Sequence, residues 1–166
     1  MSETNHSIVQ KMCRVSLLHR YRISSALRNH GIYRGQPEIL EYLISHGDCS
    51  QVEIANEMGV SPASVATSVK RLCKAGHIER SVDETDRRIN RLRITEKGIR
   101  VLEAGKAECE KVDIGMFGGF SEEEKETFAA MLARIADNLS EENMSDRDIF
   151  RLMIDQQNQD KEESEC

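Results

Sequence analysis

Arg87, Arg88, Arg91 and Arg93 put four guanidinium groups into seven residues of a chain whose formal net charge is -6. A guanidinium is a permanent cation with a planar fork of N–H donors, a geometry that fits phosphate oxygens and guanine edges. Upstream, Ser61, Ala63, Ser64, Thr67, Ser68, Lys70, Arg71 and Lys74 combine small side chains, hydroxyls and cations at helical spacing. Those types suit close approach to another surface and contact with phosphates and base edges. Catalytic groups are not arranged in the same way. There is no G-x-S-x-G, no phosphate-cradling glycine loop and no Cys-His pair in a recognisable context, so no catalytic residues are expected. The five histidines (His6, His19, His30, His46, His77) have no Cys, His or carboxylate at a spacing that closes a site, so neither metal nor cofactor is expected.

Net acidity argues against a nucleic-acid partner until the distribution of charge is considered. Between Ser61 and Arg100 ten Lys and Arg face five acids, whereas the rest of the chain carries 13 against 24. Such segregation presents one basic surface and suits docking on a polyanion in a single orientation. With 166 residues, 39% of them apolar, the chain can bury the core of about one domain. No run of about 18 apolar residues is present, and "MSETNHSIVQ" lacks the apolar stretch of a secretory signal. A cytoplasmic location with no membrane partner is therefore expected. Five scattered cysteines without a C-x-x-C pair read as reduced thiols.

The elements that must position these residues follow from periodicity. Ile8, Met12, Val15, Leu18, Ile23 and Ala26 form the stripe of a long first helix ending near "NHGIYRGQP". "PEILEYLIS" gives a second helix with Ile39, Leu40, Leu43 and Ile44 inward, stopped by "HGD" and followed by a short connector. In "SQVEIANEMGV", Ser50 and Glu53 make the S-x-x-E capping box of a third helix that buries Ile54, Ala55 and Met58 and stops at Gly59. "SPASVATSVKRLCKAG" restarts at once, with Ser61 as cap, Pro62 in the first turn and Gly76 as terminator. At about 100° per residue, Val65, Val69, Leu72 and Cys73 share one side of this fourth helix, and the small, hydroxylic and basic residues share the other.

"HIERSVD" and "INRLRIT" alternate apolar and polar residues around "ETDRR", the pattern of a two-stranded hairpin. Helix-turn-helix plus hairpin makes a winged helix. An arginine-rich tip beside a helix in the major groove can reach the neighbouring minor groove, with Asp86 orienting an arginine. Thr95 caps the next helix, which has Ile99, Leu102 and Ala107 among its apolar positions and pauses at "GMFGGF". In "SEEEKETFAAMLARIADNL" a second capping box, Ser121 and Glu124, precedes the stripe Phe128, Met131, Leu132, Ile135, Ala136 and Leu139. After Ser140 nine acids face three basic residues. One weak helix is expected around residues 146–155, and the last ten residues read as disordered.

The stretch from Ser50 to Glu103 closely resembles the winged helix-turn-helix of the multiple-antibiotic-resistance regulator (MarR) family. The resemblance is carried by "LCKAGHIER", the wing signature in "DRR" and "ITEKG" opening the following helix. With the flanking helices it covers roughly Ile8 to Leu139. It implies a mainly α fold: a winged helix-turn-helix of three helices and a two-stranded wing, flanked by N- and C-terminal dimerisation helices. The implied segments are residues 1–33 (dimerisation), 34–100 (DNA binding), 101–140 (dimerisation) and 141–166 (acidic extension, partly disordered, with no family role). The implied partners are double-stranded DNA and a second copy of the chain. The implied activity is repression, often relieved by a small phenolic or lipophilic effector, an oxidant or a metal. By position, Ser61, Ala63, Ser64, Thr67, Ser68 and Arg71 match the recognition helix, Arg88 the minor-groove arginine and Asp86 its buttress, with Arg87 at a more variable place. Lys70, Lys74, Arg91 and Arg93 are read as phosphate contacts.

Two sensor readings accompany the resemblance. Cys13 lies on the first helix, where the peroxide-sensing branch carries its reactive cysteine; the favoured reading is a buried, inert thiol. Tyr21, Arg22, Met116 and Phe117 stand where the family's pocket lies, beneath the wing and beside the dimer helices, with plain packing as the favoured reading. The rival functions are a winged helix that docks an acidic protein, or a ligand-independent activator. An interaction helix would carry aromatic or large aliphatic anchors, which the outer face lacks. Arg88→Ala is expected to weaken specific duplex binding by about 1–3 kcal/mol. Unchanged affinity for the natural operator in a fluorescence titration would remove Arg88 from that role.

Overall fold

Three apolar residues on one side of a short helix decide where the rest of the chain must sit. Val65, Val69 and Leu72 are buried in the computed structural model, which describes residues 4–82 and 90–140 together with Asp148, Ile149 and Leu152. Each such burial contributes about 1.5–3 kcal/mol. They belong to α4 (Pro62–Ala75), preceded by α1 (Asn5–Asn29), α2 (Gln36–His46) and α3 (Gln51–Met58). After α4 come β1 (Ile78–Val82), β2 (Asn90–Ile94), α5 (Glu96–Met116) and α6 (Glu122–Leu139). The core joins α4 to Ile39, Leu40 and Leu43 of α2, Ile54 and Ala55 of α3, Ile78 and Leu92 of the hairpin, and Leu102 of α5.

The starts and stops follow the local chemistry. Ser50 and Ser121 each close a capping box, with Glu53 and Glu124. Thr95 Oγ1 accepts from the Gly98 N–H at 3.1 Å to open α5. Gly59 and Gly76 end α3 and α4 in the left-handed region, with φ of 62° and 73°. The strands pair antiparallel, with Ile78 opposite Ile94 and Arg80 opposite Leu92. The connector before α3 is more than a link. The Leu92 N–H donates to the Cys49 carbonyl at 2.8 Å, and the Cys49 N–H donates to the Leu92 carbonyl at 3.2 Å, adding a one-residue third strand.

Three expectations are corrected. Ile44 is 51% exposed and Gln36 is buried instead. On a helical projection Gln36 falls at the centre of the arc made by Ile39, Leu40 and Leu43, and Ile44 at its edge. In α5, Ala107 is exposed while Gly98 and Gly105 are buried. Gly105 lets Leu27 of α1 and Ile32 approach α5, and a Cβ there would meet their side chains at 3.2 and 3.4 Å. The third is Cys13, which is exposed because Leu27 is the only residue of α1 that the chain itself buries. α6 buries nothing within the chain: Phe128, Met131, Leu132 and Leu139 are all exposed. The weak helix and the disordered end expected beyond Ser140 fall mainly outside the described residues.

Gly98 is where α5 crosses the base of the hairpin, and a Cβ there would overlap the His77 carbonyl oxygen and crowd Ile94. Since that oxygen also accepts the Thr95 N–H at 3.0 Å, it cannot retreat without losing the bond that seats the helix. Gly98→Ala should therefore cost about 1–3 kcal/mol in urea unfolding. Gly115→Ala, with no neighbour within 4 Å, should stay within about 0.5 kcal/mol. Equal stabilities for the two variants would mean that the crossing is not close-packed.

Candidate nucleic-acid interface

The outer side of α4 is the surface that its seating leaves to solvent. Ser61, Ala63, Ser64, Thr67, Lys70, Arg71 and Lys74 are exposed, and Ser68 is half-buried. The helix carries three cations and no acid. Its first turn is fixed by Ser61, whose Oγ accepts the Ser64 N–H at 3.3 Å and lies 2.9 Å from Ser64 Oγ. Thr67 Oγ1 donates to the Ala63 carbonyl at 3.0 Å, which leaves both lone pairs of the exposed side chain's oxygen available to accept. Ser64, Thr67, Arg71 and Lys74 recur every three or four residues and form one straight polar stripe along the helix.

The two arginines of β2 do something other than wait for phosphate. Arg93 Nε and Nη2 meet Asp48 Oδ1 and Oδ2 at 2.7 and 2.6 Å, a two-pronged pair. Arg91 Nη1 meets Glu53 Oε2 at 3.1 Å, the same oxygen that accepts the Ser50 N–H at 2.7 Å in the capping box. Because side chains alternate along a strand, Arg91 and Arg93 share the face opposite Leu92 and clamp the wing to the start of α3. The guanidinium beside Asp48 holds its carboxyl below the usual value. The Ser50 backbone N–H does the same for Glu53, followed by the Ser50 hydroxyl and then Arg91. Asp86, Arg87 and Arg88 lie outside the described residues.

One cation escaped the sequence reading. Arg34, in the connection before α2, lines a cleft of about 500 Å³ together with Ser64 and Ser68. Its only sequence signal is a basic residue between two glycines, in "GIYRG". The four residues read as a pocket are not gathered in one place. Arg22 and Met116 share a cleft of about 390 Å³ between α1 and α5 with Val15 and Leu18, spanned by His19 Nε2 and Asp113 Oδ1 at 2.7 Å. Tyr21 lines a neighbouring hollow of about 340 Å³ with Arg22, and Phe117 packs against the rings of Phe120 and Phe128 at the α5–α6 corner. Burial pushes the Cys49 thiol up to about 11, so it is protonated and unreactive at neutral pH. Cys73 packs half-buried against the core. Among the described residues no three His, Cys, Asp or Glu gather as metal ligands, and no helix is long and apolar enough to cross a membrane.

Comparison with known proteins bears on this surface. A family model described as the MarR family matches residues 30–89. The HTH-type transcriptional regulator YwhA of Bacillus subtilis (strain 168) is 34% identical over 98 residues, 59% of this chain and 70% of that protein. Among solved structures, the YusO protein of Bacillus subtilis superposes with a TM-score of 0.69 at 24% identity, covering 81% of this chain and 99% of that one. A variant of S. aureus MepR bound to an oligodeoxyribonucleotide superposes with a TM-score of 0.62 at 25% identity, covering 83% and 100%.

The Asp48–Arg93 clamp has a pH signature. A carboxyl whose folded value lies below its ordinary 3.8 adds stability that is complete above that value and is lost as pH falls through the folded one. Asp48→Asn should therefore lower the urea midpoint at pH 7 and flatten part of its decline below pH about 4. An acid limb that overlays that of the parent chain would show that the clamp adds nothing.

Proposed function

Since the chain belongs to the MarR family of transcriptional regulators, we propose that it binds a pseudo-palindromic duplex operator as a homodimer and represses transcription until a small-molecule effector releases it. The observation that carries the reading is the outer stripe of α4, which is exposed, cationic and hydroxylic, free of acids and free of apolar anchors. A helix of that character enters a major groove. Ser64, Thr67 and Arg71 take base edges there, and Lys70 and Lys74 take phosphates. Arg34 joins them from the flank, while Arg91 and Arg93 serve first to hold the wing at a fixed angle. Arg88, with Asp86 and Arg87, is assigned to the minor groove on the family pattern alone.

The homodimer reading is supported by what the chain leaves uncovered. Ile8, Met12, Val15 and Leu18 of α1 and Phe128, Met131, Leu132 and Leu139 of α6 are exposed, two apolar stripes of the kind that mark an interaction surface. Residues 1–33 and 101–140 are accordingly assigned to dimerisation and residues 34–100 to DNA binding. Two copies related by a twofold axis would place their α4 helices about one helical turn of DNA apart. The cleft between α1 and α5, with Arg22 and Met116, is the place assigned to an effector of moderate size.

The test is binding to duplex fragments from the region upstream of its own gene, titrated with salt and with unlabelled random DNA. Saturable binding that survives the competitor is expected. Lys74→Ala should weaken binding uniformly across sequences and lower the salt slope by about one. Binding erased by random DNA, or a salt slope untouched in Lys74→Ala, would refute the reading of this face.

A further inference from the structure

The charge of this chain divides at Ser140. Residues 1–140 hold twenty basic and twenty acidic residues, and the 26 residues that follow hold three and nine, so the last segment carries the whole formal net charge of -6. Its acids thicken toward the end, where Asp155, Asp160, Glu162, Glu163 and Glu165 stand against Lys161 alone. The opposite sign is gathered on α4, where Lys70, Arg71 and Lys74 are exposed, with Arg34 across the cleft shared with Ser64 and Ser68. Those cations are unclaimed. Among the described residues none of the four has a carboxylate within ion-pair distance, whereas Arg91, Arg93, Arg100, Lys106, Lys111 and Lys125 each hold one. A segment of one sign and a helix face of the other, on one chain, are complementary.

The segment is long enough to meet that face. The base of α5 touches the end of α4, where Lys97 Nζ donates to the Ala75 carbonyl at 2.7 Å. From there α5 and α6 run about 31 and 27 Å, with residues 117–121 between them. Even laid in line they part Ser140 from the end of α4 by no more than about 80 Å, and 26 extended residues span about 85–95 Å. The acidic end of the chain therefore reaches Arg71 and Lys74 whatever angle α6 takes. A tethered segment acts at an effective concentration on the order of millimolar, so ion pairs that are individually weak suffice.

We propose that the acidic segment 155–166 docks on the outer stripe of its own α4, pairing its carboxylates with Lys70, Arg71 and Lys74, and holds that face until nucleic acid displaces it. The contact is electrostatic and shallow, since the stripe offers no apolar anchor and the segment has no aliphatic or aromatic residue between Asp155 and Glu165. Duplex DNA carries one negative charge per about 1.7 Å, a denser array than five acids in eleven residues, so it can displace the segment. Docking stands on charge and reach alone. Competition with DNA rests on the function proposed above.

The full chain, half of it labelled with ¹⁵N, is treated with a zero-length carbodiimide at about 50 mM and about 0.5 M salt, and coupled peptides are identified by mass spectrometry. Coupling of residues 155–166 to Lys70 or Lys74 is expected at low salt, in excess of coupling to Lys106, Lys111 or Lys125, between peptides of one isotope, and lost at high salt. No such excess overturns the docking. Pairs that mix the isotopes as chance would overturn the assignment to the chain's own helix and place a second copy's segment there. In a chain with Asp155→Asn, Asp160→Asn, Glu162→Gln, Glu163→Gln and Glu165→Gln, random duplex should bind at least about threefold more tightly at low salt. That gain should shrink when Lys70→Gln and Lys74→Gln, exposed positions whose folding is checked by circular dichroism, are added. A gain of the same size with and without the two lysines is an effect of net charge and overturns the competition. A chain that binds no duplex in any form refutes the DNA reading and leaves the coupling result standing.

Discussion

Leu92 is the point on which the DNA-facing half of the chain depends. Its side chain is wholly buried, and both its backbone polar groups are given to Cys49 rather than to β1. In an antiparallel ribbon the N–H and C=O of one residue point the same way, so a residue bonded outward leaves the hairpin bonds to its neighbours. β2 is thus hydrogen-bonded on both edges at the base of the wing. An isolated two-stranded ribbon is marginal in water, and this third partner together with the buried Leu92 side chain gives it an angle to hold. Arg91 and Arg93 add to that fixation from the opposite face of β2, through Glu53 and Asp48. Each pair is largely in solvent, where ion pairs add little, so they set direction more than stability.

α4 inherits its orientation from the same core and divides its surface accordingly. Val65, Val69 and Leu72 leave the helix no freedom to roll, because turning it by one residue would expose one of them and bury a hydroxyl or a cation. The outer stripe is therefore fixed in register along its whole length. Its N-terminal part offers hydroxyls and small side chains, and its C-terminal part offers Arg71 and Lys74 beside a buried imidazole.

What the sequence made legible was whatever depends on neighbours along the chain. Caps, glycine stops, the inner side of α4 and the alternation of the hairpin are local matters, decided within about four residues. What it hid depends on residues far apart. The pairing of Cys49 with Leu92 joins positions with no shared pattern, and Gly98 and Gly105 look like weak helix positions until the crossings that require them are seen. Arg91 and Arg93 read as phosphate ligands because their acids, Asp48 and Glu53, precede them by about forty residues and look like ordinary turn and cap residues. Gln36 was invisible for a different reason. It is buried because its side-chain oxygen accepts the Tyr33 N–H at 3.0 Å, a satisfaction that hydropathy does not register.

The halves of the molecule differ in kind, and that difference bears on how such a protein could be switched. The winged helix closes its own core, whereas α1 buries one residue and α6 none. On the dimer reading, the relative placement of two winged helices is then set by helices whose apolar faces are satisfied only between copies. A ligand shifts such an arrangement only by the difference in its affinity for the two placements. The cleft between α1 and α5 can supply that difference, because its walls, including the His19–Asp113 bridge, belong to the helices that would move.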